Sequence, residues 1–153
     1  MFDFIIEVNP EQLKDGIHEY LYADVTVVGN YGSLSSKDDN RLQNTMIFGS
    51  ISDLLTGVTA LVKKNKKQYR FMSIGSSFSF YITRKKYCFE IKDINNNLIS
   101  RTTEKEFIQS IWKPINDFVV RFRPLFIEEE GIAEDLDDSI KNFKQEFKRY
   151  ISN

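Results

Sequence analysis

Apolar and polar residues alternate over residues 2–8, FDFIIEV. Phe2, Phe4, Ile6 and Val8 thus fall on one side, as in a half-buried strand. Pro10 and Gly16 then mark a turn or short helix. A second extended run, Ile17 to Val28, places Leu21, Ala23, Val25 and Val27 on one face. Residues 29–40, GNYGSLSSKDDN, are rich in turn formers and are expected to be a surface loop. The period then changes. Ile51, Leu54, Leu55, Val58, Leu61 and Val62 recur at helical spacing. Ser50 or Ser52 is the expected cap of this helix, with Asp53 in its first turn.

Residues 69–92 alternate again, and turn chemistry sets their register. A Gly75-Ser76 turn, with glycine at its first central position, pairs Ser73 with Phe78, Phe71 with Phe80, and Tyr69 with Ile82. A second turn centred on Arg84-Lys85 pairs Ile82 with Tyr87, Phe80 with Phe89, and Phe78 with Ile91. Both registers put the large apolar residues on the same face, and a one-residue slip in either would separate them. The segment is therefore expected to be a three-stranded antiparallel meander.

After the turn at residues 93–97, Thr103 and Glu106 form a capping box. The helix it opens carries Phe107, Ile108, Ile111, Trp112, Ile115, Phe118, Val119 and Phe122 on a broad face. Pro114 should kink or restart that helix, and Pro124 should end it. Ile132, Leu136, Ile140, Phe143, Phe147 and Ile151 then predict a terminal amphipathic helix, acidic at its start and basic at its end. The expected fold is α+β in a single domain, residues 1–153. Its antiparallel sheet comprises an N-terminal strand pair plus the meander at 69–92, with one face covered by helices near 51–64, 104–123 and 132–151.

Charge adds two segments of opposite sign. The net charge is only −1, which gives no overall pull towards DNA or membranes. Between Lys63 and Lys92, however, nine basic residues face Glu90 alone. The predicted topology gathers Lys63, Lys64, Lys66, Lys67, Arg84, Lys85 and Lys86 at one pole. Helix-dipole complementation and protection of a sheet edge account for such lysines without any ligand. A nucleic-acid or anion site would also need exposed aromatics, and only Tyr81 is expected to face outward. Glu128, Glu129, Glu130, Glu134, Asp135, Asp137 and Asp138 form the opposite segment, seven acids without a base. It reads as a solvated helix start, as a docking patch for a basic partner, or as the internal complement of the basic pole.

Several chemistries lack their residues. Cys88 is the only cysteine, so neither an internal disulfide nor a cysteine zinc cluster can form. It is expected on the polar face of the sheet beside Tyr81. His18, the only histidine, has no evident partner, although a pairing with Cys88 stays open. Phosphate-binding glycine loops, a nucleophile elbow and EF-hand spacing are all missing. No cofactor and no catalysis are expected. The first residues lack the pattern of a secretion signal, and no apolar run approaches the roughly 20 residues of a membrane span. A cytoplasmic location without membrane partners follows as an expectation.

The order of elements around I-S-D-L-L-T-G-V-T-A-L-V (Ile51–Val62), F-S-F-Y-I-T (Phe78–Thr83) and Y-C-F-E-I (Tyr87–Ile91) resembles small bacterial immunity proteins of polymorphic toxin systems, and other bacterial α+β proteins. The resemblance covers about a quarter of the chain. It implies a protein that binds and blocks one cognate toxin, with no chemistry of its own. Many such toxins are basic nucleases, which suits the acidic segment as a contact surface. Immunity interfaces have no fixed motif, so no contact residue carries over. The Ser33–Asn44 loop is a second candidate contact. Two other classes stand beside this one: an anion or nucleic-acid binder using the basic pole, and a structural or oligomerising module using a sheet edge or the last helix.

Overall fold

The computed structural model describes residues 1–18, 20–39, 45–127 and 131–151, with the backbone alone at Asp15, His18, Asp39, Phe126 and Ile127. The fold is α+β, built from two antiparallel sheets and three helices. In the first sheet, β1 (Phe2–Glu7) pairs with β3 (Tyr22–Gly29). Between them lie a 3-10 turn at Pro10–Asp15 and the short β2 (Ile17–His18). The expected loop at 29–40 instead opens as a hairpin. Gly29 and Gly32 face each other across Asn30-Tyr31, and β4 (Gly32–Ser35) extends the sheet. Alternation fails there because both β4 faces are partly exposed, leaving the turn formers to dominate the pattern. The two-residue β5 (Thr45–Met46) pairs with the start of β3.

Helix α1 runs from Ile47 to Lys63 and buries Ile51, Leu54, Leu55, Val58 and Leu61 as expected. It starts earlier than its serines suggest, because Met46 stands at the N-cap without a side-chain hydrogen bond. Ser50 and Ser52 are used elsewhere. The Ser50 hydroxyl accepts from the Ile74 amide at 3.0 Å, and the Ser52 hydroxyl donates to the Asp135 carbonyl at 3.2 Å.

The second sheet begins with β6 (Gln68–Met72) and β7 (Ser79–Arg84) in the expected register, with Tyr69 opposite Ile82 and Phe71 opposite Phe80. Gly75 has φ 96°, the conformation for which the turn selects glycine. The second hairpin differs. Between β7 and β8 (Phe89–Lys92), Ile82 faces Ile91 and Arg84 faces Phe89. The connection is the four-residue loop Lys85–Cys88, closed by the Lys85 amide on the Cys88 carbonyl at 2.8 Å. A two-residue turn at Arg84-Lys85 would need backbone conformations that neither residue favours. The displacement is an even number of residues, so the buried face survives: Phe71, Phe80, Ile82, Phe89 and Ile91 are all inside, with Phe78 half-buried at the rim. Tyr87 and Cys88 leave the sheet for the loop.

A fourth strand, β9 (Leu98–Thr102), completes this sheet. Asp93 fixes the preceding turn by accepting from the Asn95 and Asn97 amides and from the Asn97 side chain. The strand pair and the meander therefore belong to separate sheets. Those sheets meet where the Tyr31 amide donates to the Ile99 carbonyl at 3.0 Å.

Thr103 caps α2 (Glu104–Phe122) by accepting from the Glu106 amide at 3.1 Å. The helix passes through Pro114 without restarting, and it ends before Pro124 as expected. Phe107 joins the sheets, its ring 5.2 Å from Phe2 and 4.9 Å from Phe89. A two-residue β10 (Phe126–Ile127) runs parallel to β2. Helix α3 spans Ile132–Glu146 and stops short of Ile151. The chain turns at Phe147, and the Tyr150 carbonyl accepts from Gln109 of α2 at 2.9 Å.

Candidate functional site

The helix directions place the charges. Ser52 of α1 reaches Asp135 of α3, so these two helices start at the same end of the molecule. Arg123, just after α2, pairs with Asp137, while Glu104, at its start, pairs with Arg149. Helix α2 therefore runs opposite to the other two. The acidic starts of α3 and the basic exits of α1 and α3 lie at opposite ends, and the two segments do not neutralise each other.

At the basic end a backbone motif sets the display. Asn65 adopts φ 51°, the Asn65 amide donates to Val62, and the Lys66 amide donates to Leu61. This is the paired closure of a helix that ends in a left-handed residue. It turns the chain into β6 and leaves Lys63, Lys64, Lys66 and Lys67 exposed around the corner. None of the four has an ion pair among the described residues. The Arg84 amide donates to the Lys67 carbonyl at 2.8 Å and its guanidinium to Asn65 at 3.1 Å, which brings the β7 end alongside. Arg84 and Lys85 are partly committed, to Glu104 at 4.0 Å and Glu90 at 3.7 Å. Lys86 lies over the Tyr87 ring, 5.2 Å from its centroid.

Tyr87 is 80% exposed, against the expectation of a core position. With Lys85, Lys86, Lys105, Glu104 and Tyr150 it lines a cleft of about 280 Å³. The sequence reading missed Glu104, Lys105, Arg149 and Tyr150 as neighbours. The capping box marks a helix start, but only β9 brings that start to this end. Cys88 is half-buried in the same cleft rather than beside Tyr81 on the sheet.

Among the described residues at this end, Glu90 is the charged residue held inside, only 4% exposed. Arg101 donates to one of its oxygens twice, at 2.9 and 2.7 Å. Burial would lift the Glu90 carboxyl above its usual range, but the hydrogen bonds and charge of Arg101, with Lys85 and Lys92 behind it, outweigh burial and hold it below. A depressed carboxylate contributes stability that is present above its unfolded pKa and is lost as pH falls through the folded value. Urea unfolding from about pH 6 down to about pH 2.5 should show wild type losing more stability than Glu90→Gln. Parallel curves would remove Glu90 from the acid response.

At the acidic end, Glu128, Glu129 and Glu130 lie outside the described residues. Glu134, Asp135, Asp137 and Asp138 are all exposed on the first turns of α3. Asp137 accepts from Arg123 at 2.8 and 3.1 Å. The other three have no ion pair among the described residues. Asp53 of α1 joins them, a carboxylate the sequence reading used only as a helix-start residue. Its pKa is raised, first by partial burial and then by the charge of Asp135.

The second candidate contact, Ser33–Asn44, divides. Ser36 donates to the buried Asp24 at 3.1 Å, and Lys37 binds Glu7 at 2.9 Å, so the first part is tied to the sheet. Residues 40–44 lie outside the described residues. The His18 side chain does as well, and with it the open His18–Cys88 pairing. Among the described residues no three histidine, cysteine or acidic side chains gather as metal ligands would, and no helix is long and apolar enough to cross a membrane. Compared with protein-family models, curated proteins and solved structures, the chain matches none.

Proposed function

We propose that this chain is a non-catalytic, cytoplasmic binding protein that takes a basic protein partner at the acidic end of α3, in the manner of an immunity-type inhibitor. One observation carries the reading: Glu134, Asp135 and Asp138 stand exposed with no ion pair among the described residues, while Lys63, Lys64, Lys66 and Lys67 sit at the other end of α1. Like charges brought together this way oppose folding; at Asp53 partial burial is the larger cause of the raised carboxyl, and the charge of Asp135 adds to it. A basic partner would relieve that repulsion and be steered by the same field. The triple variant Glu134→Lys, Asp135→Lys, Asp138→Lys should keep its fold, because the three side chains are exposed and have no ion pair to lose among the described residues. Its association with a partner captured from the source lysate should slow about tenfold or more and lose most of its salt dependence. Unchanged association kinetics would remove the acidic end from the function.

The exposed Tyr87 favours a second reading, a single-stranded nucleic-acid binder at the basic end. Base stacking on Tyr87 beside Lys86, with Lys66 and Lys67 exposed at the same end, would give binding that falls linearly on a log scale with salt. Oligo-dT bound at physiological salt, and lost in Tyr87→Ala and in Lys66→Glu, Lys67→Glu, would rank this reading first.

A further inference from the structure

The outward face of the second sheet carries a one-sided charge. Phe71, Phe80, Ile82, Phe89 and Ile91 occupy the inner face, so the alternate positions look out. Strand pairing sets those positions in rows. Arg70 on β6 faces Tyr81 on β7, which faces Lys92 on β8. In the next row Thr83 faces Glu90, which faces Arg101 on β9. The rows lie roughly 7 Å apart, and opposed side chains start about 5 Å apart. Arg70, Met72 and Arg101 are exposed there, and Tyr81, Thr83 and Lys92 are partly so.

A solvated strand face ordinarily mixes both signs. Here the strands bring Arg70, Lys92 and Arg101 against Glu90 alone, and Lys85 reaches in from the loop after β7. Glu90 does not balance them. It holds one charge, and the two cations that bind it, Arg101 at 2.7 Å and Lys85 at 3.7 Å, stay about half-exposed. Arg101 gives the carboxylate only its Nε and one Nη, so its other Nη is left over. Arg70 and Lys92 have no ion pair among the described residues. Arg70 donates to the Ser79 hydroxyl at 3.3 Å. Two further acids, Asp38 and Asp93, line a cleft at the Ser79 end of β7, and neither belongs to the strands of this face. Their oxygens accept from Ser35, Asn95 and Asn97. The opposite end of β6 opens onto the exposed Lys66 and Lys67.

The aromatic at the centre narrows the choice of anion. The Arg70 guanidinium lies over the Tyr81 ring, 5.5 Å from its centroid, so a flat cation and a ring are already stacked among the other cations. Tyr31, 59% exposed, adds a ring beyond β9, where its amide holds the Ile99 carbonyl. Flat side chains with cations alongside suit a strand whose bases are free to stack and whose phosphates carry the charge. A duplex keeps its base faces covered, and an acidic peptide has no flat group to lay on the pair.

We propose that the outward face of the second sheet binds single-stranded nucleic acid, with a base stacked on the Arg70–Tyr81 pair and phosphates against Lys92 and Arg101. Glu90 is a positioning residue that holds Arg101 and Lys85 to the face. The site is separate from the acidic end of α3 and from Tyr87, which stands in the loop beyond the sheet, and it can hold where either of those readings fails.

The test is fluorescence anisotropy of labelled oligo-dT and oligo-U on the whole protein, repeated across salt. Arg70→Gln with Lys92→Gln should weaken binding about tenfold or more. The same pair should make the slope of log affinity against log salt shallower by about 1.4, at about 0.7 per phosphate on a single strand. Tyr81→Leu should weaken binding with the slope unchanged, and Tyr81→Phe should keep it, a split that a merely structural Tyr81 would not give. Tyr87→Ala should leave binding unchanged. Binding lost in Tyr87→Ala but kept in Tyr81→Leu would place the strand at the basic end and overturn this proposal alone. A duplex or poly-glutamate bound as tightly as the single strands would reduce the face to a general polyanion surface and overturn it too. So would the absence of binding to either oligonucleotide at low salt.

Discussion

Phe80→Ala should cost about 3–5 kcal/mol of folding stability, the usual range for a buried phenylalanine. Phe80 lies on β7, an inner strand with β6 and β8 on its two sides, and it is 1% exposed. Its ring stands 4.9 Å from Phe71 and 5.9 Å from Phe78. Truncation removes the transfer energy of the ring and leaves a hole walled by Phe71, which strand pairing holds in place, and by Phe78, whose carbonyl accepts from the Ser73 amide at 2.9 Å. The walls cannot collapse inward without breaking the ladder, so most of the cavity term remains. Domains of this size have about 5–15 kcal/mol in total, so the variant loses a large share of its stability. Phe78→Ala is the internal control. Phe78 belongs to the same ring cluster but sits half-buried at the rim, where water can enter. Its truncation should cost less than half as much. Urea midpoints of the two variants decide the matter, and a Phe80 cost near that of Phe78 would show that the centre of this face is elsewhere.

The buried face of this sheet was legible in the sequence because two hairpins had to agree on it. Any even displacement of the second hairpin satisfies that agreement equally well, and for that reason the register itself was not determined. Turn chemistry could have decided it, since Arg84-Lys85 has neither the asparagine nor the glycine that a two-residue hairpin demands. The consequence was functional. Moving the turn into Lys85–Cys88 took Tyr87 from the core face to an exposed position among lysines, and with it changed the standing of the nucleic-acid reading. β4 and β9 were lost for a related reason. Each lies next to a cluster of turn formers, and β4 shows no clean alternation of buried and exposed positions.

The candidate site divides along a similar line. Which residues are charged, and that α1 ends in lysines, is local information. Whether the two charged segments face each other depends on helix direction, which no local pattern encodes. Two contacts settled it, Ser52 with Asp135 and Arg149 with Glu104. Glu90 shows the limit most plainly. It reads as the one acid diluting a basic run, and it is a carboxylate packed under Arg101 from a strand that was not foreseen.

Gly29→Val should destabilise the protein by roughly 3 kcal/mol or more, at or beyond the upper end for overpacked cores. Gly29 ends β3 at the hairpin with β4, directly against β9 of the other sheet. A Cβ placed there would overlap the Ile99 carbonyl and crowd the Ser100 Cβ. The obstacle is backbone, not the end of a flexible side chain, so relief requires the sheets to part. Parting them breaks the Tyr31–Ile99 hydrogen bond at 3.0 Å and strains the Ser100 hydroxyl's bond to the Met1 carbonyl at 2.6 Å. It also pulls Phe2 and Phe89 away from the Phe107 ring that they share. The effect should therefore reach α2, and amide exchange should quicken at Leu98–Thr102 and at Phe107 together. Gly32→Ala, across the same turn, separates this explanation from a general need for glycine. Its Cβ would meet only the Ile99 Cδ1 at 3.5 Å, ordinary contact. That variant should be neutral or gain about 0.4–1 kcal/mol by restricting the unfolded chain. Equal losses at Gly29 and Gly32 would point to the turn itself. A loss at Gly29 alone, with exchange quickened in both sheets, would identify it as the contact that holds them together.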